Sequence, residues 1–213
     1  MIIKTIFMKA NEVEFLDELE YTIQPDSCIT AVYGQCMPKR FLRIPKFGIV
    51  NMHPSLLPKY RGASPVQRSL AAGENPVGVS VLFAVTKMDA GPIVSQQSHA
   101  MSSNDDDATK ILPLLFDTGS TQLLEKLPDM LEGKITMEEN AIMQNEDDAI
   151  EAPLIDSSEG ELKVCSSVIV IIRWNIVRHI SNAQWIIFDN HIFDKNIIVF
   201  NNHFNFIIII ASF

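Results

Sequence analysis

Apolar and polar positions along this chain fall into short blocks whose period switches between helix-like and strand-like up to about residue 131. In the block 13–20, Phe15, Leu16 and Leu19 recur at helical spacing, with Asn11 placed to cap the helix and Pro25-Asp26 to end the segment. Residues 28–33 read as a short buried strand, 38–42 as a helical turn and 47–52 as a second strand. Pro65 suits the first turn of a helix through 66–72, which Gly73 closes. Two further strand-like runs, 77–84 and 93–99, flank the turn Asp89-Ala90-Gly91-Pro92, and a helical region then extends to about residue 131. Acids crowd its start at 104–107, where carboxylates favour the positive end of the helix dipole. Capping is therefore preferred over metal binding for Asp105, Asp106 and Asp107. Alternating strands and helices predict an α/β layer fold with a mainly parallel sheet, and ligands in such sheets sit beyond the carboxyl ends of the strands.

The loops at those ends carry the candidate chemistry. Asn51 and His53 stand two residues apart at the exit of an apolar run, so an extended backbone points both side chains to the same face. An amide and an imidazolium are donors suited to an oxyanion, and an acidic neighbour such as Asp89 would hold the imidazole charged and oriented. Such a constellation suits acyl transfer. Taken singly, each member has a plainer explanation: a lone histidine after a strand is usually structural, Asp-Ala-Gly is usually a turn, and Pro54 and Pro58 stiffen a loop.

Asn51-Met-His53-Pro-Ser55-Leu56-Leu57-Pro58, followed later by Met88-Asp89-Ala-Gly91, resembles the 10-formyltetrahydrofolate-dependent formyltransferases. The similarity runs from about Glu12 to Ile155 and includes the turn at 32–38, where Cys36 departs from the family's pattern. Within the family, Arg61-Gly62-Ala63-Ser64-Pro65-Val66-Gln67-Arg68 resembles the members that formylate methionyl-tRNA, and the stretch 85–92 is closer to organellar than to bacterial relatives. The resemblance implies a partial Rossmann-like formyltransferase domain with Asn51, His53 and Asp89 as catalytic residues. It assigns Ser55, Leu56, Leu57 and Pro58 to tetrahydrofolate binding. The implied formyl donor is 10-formyltetrahydrofolate, the acceptor is the amino group of initiator methionyl-tRNA, and the implied state is a monomer without a metal. A formyltetrahydrofolate hydrolase or dehydrogenase-like enzyme is the alternative, disfavoured by residues 65–68; a non-catalytic fragment is a second. Arg61 and Arg68 could meet phosphate or form salt bridges at the loop–helix junction.

The resemblance also places further strand and helix units before Glu12 and a smaller β-barrel domain after the linker. Neither is expected here, so the sheet should be incomplete and activity weak. The expected organisation is a partial catalytic domain over 1–150, a linker over 151–163 and an atypical Ile/Asn/Phe-rich tail over 164–213. That tail has the bias of translated non-coding sequence. Arg173, Asn175, Arg178 and His179 interrupt its first apolar run, and its last run is too short to span a bilayer. No membrane association is expected, and His179, His191 and His203 are given no role. Composition adds limits: 213 residues with 47% hydrophobic content suffice for one ordinary domain, and a net charge of −9 leaves little basic surface for nucleic acid. Cys28, Cys36 and Cys165 show no metal spacing and suit a reducing compartment, with Cys28 and Cys36 expected as small buried residues. The first ten residues make a poor signal or transit peptide. The expected location is the mitochondrial matrix in a eukaryote, with any address lying upstream, and the cytoplasm otherwise.

Overall fold

The computed structural model describes residues 11–31, 33, 36–102, 107–156 and 159, together with the backbone of four strands outside those ranges. The elements are β1 (Ile2–Ile6), α1 (Val13–Asp17), β2 (Ser27–Ala31), α2 (Lys39–Arg43), β3 (Ile49–His53), α3 (Pro65–Ala71), β4 (Val77–Phe83), β5 (Ile93–His99) and α4 (Ala108–Leu131). After them come the short strands β6 (Ile187–Phe188) and β7 (Ile197–Ile198), which pair with each other, and β8 (Phe206–Ala211). The chain is α/β, with the main sheet ordered β1-β8-β2-β3-β4-β5.

Successive residues on β2 and β3 send side chains to opposite faces, and each face is covered differently. Cys28 and Ile49 join Phe15, Leu16 and Leu19 of the first helical segment and Phe41 of α2. Ile29, Val50 and Met52 join Val81, Phe83 and the long α4, whose Phe116, Leu123, Leu127 and Met130 face them. Burial pushes the Cys28 thiol pKa upward, so this cysteine behaves as a small apolar core residue. Cys36, expected inside, is exposed; Cys165 lies outside the described residues. Asn11 does not cap α1, whose N-cap position is Glu12 without a side-chain cap bond. Asp107 does cap α4, accepting from the Thr109 amide at 2.8 Å, while 103–106 lie outside the described residues. The tail is described only through the backbone of β6, β7 and β8.

The sheet is mixed where a mainly parallel one was expected. Among the central strands only β2 and β3 run parallel; β3 with β4 and β4 with β5 are antiparallel. A parallel return needs a crossover that travels back along the strand. Helix α3 has seven residues and spans only about 10 Å, about half the length of a seven-residue strand, so the chain re-enters the sheet at the end where β3 left it. Residues 84–92 between β4 and β5 contain no helix, which makes that pair a hairpin. Consequently the carboxyl end of β3 and the approach to β4 lie together, with the 54–64 loop between them.

Candidate active site

Three side chains meet where β3 ends. The hydroxyl of Thr30 on β2 donates to Asn51 Oδ1 at 2.9 Å, which fixes the amide with its NH2 toward Asp89. Asp89 reaches in from the β4–β5 turn: its Oδ1 lies 3.5 Å from Asn51 Nδ2 and its Oδ2 lies 3.5 Å from His53 Nδ1. The Gly62 amide donates to the same Oδ2 at 2.9 Å. His53 is 4% exposed, and its Nε2 lies 2.8 Å from the Tyr60 carbonyl. A carbonyl only accepts, so Nε2 carries a proton, and Nδ1 faces a second acceptor in Asp89. At 3.5 Å the two contacts to Asp89 are longer than an optimal hydrogen bond, so Asn51 Nδ2 and His53 Nδ1 keep donor capacity for a further oxygen.

The backbone carries the loop into place at unusual angles. Asp89 and Tyr60 adopt positive φ values of 50° and 63°. Gly62 has φ 125°, and a Cβ there would stand 2.7 Å from the Ala152 carbonyl oxygen, so only glycine lets residue 62 approach both Ala152 and the Asp89 carboxylate.

Ser55, Leu56, Leu57 and Pro58 follow His53 and Pro54 directly in the chain. They line a neighbouring cleft of about 630 Å³ with Tyr60, Glu74, Gly78 and the 147–150 segment, and Asn51, His53 and Asp89 are not among its lining residues. That volume is within the usual range for small-molecule clefts, about 300–1,000 Å³. Tyr60 belongs to both places: its carbonyl meets His53 and its ring lines the cleft, where the hydroxyl donates to Glu74 at 3.1 Å. Burial and Glu74 together raise the Tyr60 pKa. The cleft's rim is braced by Ser80, whose hydroxyl donates to the Ser55 carbonyl at 2.6 Å and accepts from the Leu57 amide at 3.1 Å. Leu57 itself is 4% exposed and packs with Leu82 and Ile93, so it is a core residue as well as a lining one.

Both arginines are engaged within the chain, and not at the loop–helix junction. Arg61 pairs with Glu146, and Arg68 pairs with Glu159 while donating to the carbonyls of Pro153 and Leu154. Segment 142–152 thus reaches back over the site. Ile142 bridges to Ile93, the Arg61 amide donates to the Ile150 carbonyl at 2.8 Å, and Ala152 bonds both Arg61 and Ser64. Sequence reasoning missed Thr30, the Tyr60 carbonyl, the Gly62 amide, Gln144 and Glu146. Only Gly62 carried a signal, as a glycine beside a charged residue in a loop. Among the described residues no group of His, Cys, Asp and Glu could hold a metal ion, and no helix is long and apolar enough to cross a membrane.

Comparison with known proteins identifies the family to which this α/β chain belongs. The chain belongs to the formyl transferase family, whose sequence pattern matches residues 8–126. It is 41% identical over 140 residues to the methionyl-tRNA formyltransferase of Lactiplantibacillus plantarum, covering 66% of this chain and 43% of that one. With the enzyme of the same name from Enterococcus faecalis it shares 39% identity over 159 residues, covering 74% and 49% respectively. The chain therefore spans less than half the length of these two relatives. In three dimensions it resembles the formyltransferase PseJ from Anoxybacillus kamchatkensis, solved in complex with a UDP-linked sugar and tetrahydrofolate. The TM-score is 0.54 at 24% identity, over 62% of this chain and 66% of that one.

Proposed function

We propose that the chain transfers a formyl group from 10-formyltetrahydrofolate to the amino group of initiator methionyl-tRNA, with Asn51, His53 and Asp89 as its catalytic residues. The single observation that carries this reading is the convergence of those three side chains at the end of β3, with one Asp89 oxygen near each donor. Identity to two methionyl-tRNA formyltransferases supports the acceptor, and the cleft bordered by Ser55, Leu56, Leu57 and Pro58 has room for part of a folate.

In the proposed reaction the amine nitrogen attacks the formyl carbon and forms a C–N bond. Negative charge develops on the formyl oxygen, where the Asn51 amide and the His53 imidazolium donate. Such oxyanion donors are worth about 3 kcal/mol each. Asp89 holds the imidazole in its charged form and takes the proton leaving the amine, through a water molecule. Collapse of the intermediate breaks the bond from the formyl carbon to folate N10, which gains a proton. The products are a formamide and tetrahydrofolate, so no covalent enzyme intermediate or metal is needed. The organisation proposed is a catalytic unit over 1–150, a linker over 151–163 and an atypical tail over 164–213 whose β8 joins the main sheet between β1 and β2, acting as a monomer. We place the reaction in the mitochondrial matrix of a eukaryote or the cytoplasm of a bacterium.

The test follows the formyl donor with and without acceptor. The full chain is incubated with 10-formyltetrahydrofolate and initiator methionyl-tRNA, and formylmethionyl-tRNA is resolved on acid gels. Product that needs both substrates is expected. Loss of the donor without methionyl-tRNA would indicate hydrolysis, and an unchanged donor in both mixtures would overturn the enzymatic reading.

A further inference from the structure

The turn that carries Asp89 is held from behind by hydrogen bonds that begin at a buried cation. Arg61 is 1% exposed, and its Nε and Nη2 both donate to Gln144 Oε1, at 3.0 and 2.7 Å. Its remaining arm, Nη1, donates to both oxygens of Glu146 at 3.1 and 3.0 Å. Two N–H groups on its oxygen leave Gln144 one orientation, with the NH2 toward the turn. That NH2 donates to the carbonyls of Asp89 and Gly91, each at 2.8 Å. Gly62, the residue after Arg61, supplies the amide that holds the Asp89 carboxylate. Asp89 is thus gripped at its carbonyl and at its carboxylate by groups anchored on one guanidinium and the adjoining peptide.

Asp89 has need of such a grip. At φ 50° Asp89 holds a left-handed backbone conformation that residues with side chains seldom adopt and that its surroundings must support. Gln144 and Glu146 lie beyond residues 8–126, the stretch that matches the family's pattern.

We infer that Arg61 and Gln144 are positioning residues that aim the Asp89 carboxylate at Asn51 and His53; the inference rests on the formyl-transfer reading of that site. A merely structural staple would hold the segment 142–152 without affecting where the carboxylate points. Replacement of Gln144 by Glu separates the two. The variant keeps an oxygen for Arg61 but sets a second oxygen against two carbonyls in place of the donor.

The test uses the full chain and reads the Gly62 amide in proton–nitrogen NMR spectra together with turnover. In Gln144→Glu the Gly62 resonance should move toward its position in Asp89→Asn, while the β4 amides stay in place. Turnover should fall by about 10- to 100-fold, the scale of a small misplacement, with the KM for the formyl donor within about twofold. In an Asp89→Ala background the same change should cost no further turnover, because the group being positioned is gone. Arg61→Lys should give the same pattern more weakly. If Gln144→Glu does not fold, Gln144→Met, which removes both amide groups without adding charge, is read in the same way. An unmoved Gly62 resonance in a folded variant, or an equal loss of turnover with and without Asp89, would overturn the inference. A wild-type chain that transfers no formyl group would count against the proposed function alone, since the Gly62 resonance still decides the positioning.

Discussion

His53 stands between two acceptors, the Tyr60 carbonyl and the Asp89 carboxylate, and Asp89 also reaches Asn51, which is why the proposal treats the three residues as one unit. In the proposed reaction, removing Asn51 or His53 would delete an oxyanion donor, and removing Asp89 would free the ring that it orients. Each alanine substitution should lower turnover by about 100-fold or more. Because the proposal has His53 and Asp89 serve one transition state, His53→Ala combined with Asp89→Ala should cost much less than the product of the single losses, measured as a double-mutant cycle. Leu57→Ala belongs to a different class. It lines the cleft but also fills the core with Leu82 and Ile93, so a thermal or urea melt should show a loss of about 2–5 kcal/mol beside any weaker folate binding. The cysteines separate just as sharply. An alkylating reagent followed by peptide mapping should modify exposed Cys36 in the native protein and reach Cys28 only after unfolding, because a buried thiol with a raised pKa offers little thiolate. At this scale Asn51, His53 and Asp89 were legible because the spacing of two along a strand and a motif-bearing turn are local signals. Tyr60 was not, since its contribution is a backbone carbonyl that any residue could supply, and Gln144 was not, since it meets Asp89 from 55 positions away.

Among the elements, the apolar runs marked β2, β3, β4, β5 and α4 correctly, because burial on one or both faces leaves a period that sequence displays. Strand direction left no such mark. The cue to the antiparallel β4–β5 pair was the short link at 84–92, and α3 was too short for a crossover helix, so length rather than hydrophobicity fixed the sheet as mixed. Segment 142–152 is the other element that composition concealed. It is largely polar and exposed, yet its bonds to Arg61, Ser64 and Ile93 make it part of the site. Glu146 gives it a pH dependence. Hydrogen bonds from Arg61 and Lys87 hold the Glu146 carboxyl below the usual carboxylate range. A depressed folded-state pKa stabilises at pH above the unfolded value, near 4.3 for glutamate, and the contribution disappears as pH falls through the folded-state value. The difference in melting temperature between wild type and Glu146→Gln should therefore be present at neutral pH and shrink in acid below about pH 4. A difference that grew on acidification would contradict this assignment.

For the molecule as a whole, the α/β layering, the family pattern over 8–126 and the site at a strand end give one consistent picture. The net charge of −9 and the pairing of Arg61 and Arg68 within the chain leave neither arginine as a ready phosphate contact, so the site's own geometry, not a basic surface, carries the functional reading. Of the expected tail over 164–213 only strand backbones are described, among them β8, which pairs with β2 and sets Ile207 opposite the site's Thr30. The most direct measurement is turnover of formyl transfer to initiator methionyl-tRNA, at saturating 10-formyltetrahydrofolate and acceptor, for wild type and His53→Ala side by side, with circular dichroism to establish that both are folded. The expected result is a loss of about 100-fold or more with little change in KM for either substrate. Comparable turnover in the two proteins would contradict the proposal that Asn51, His53 and Asp89 perform the chemistry.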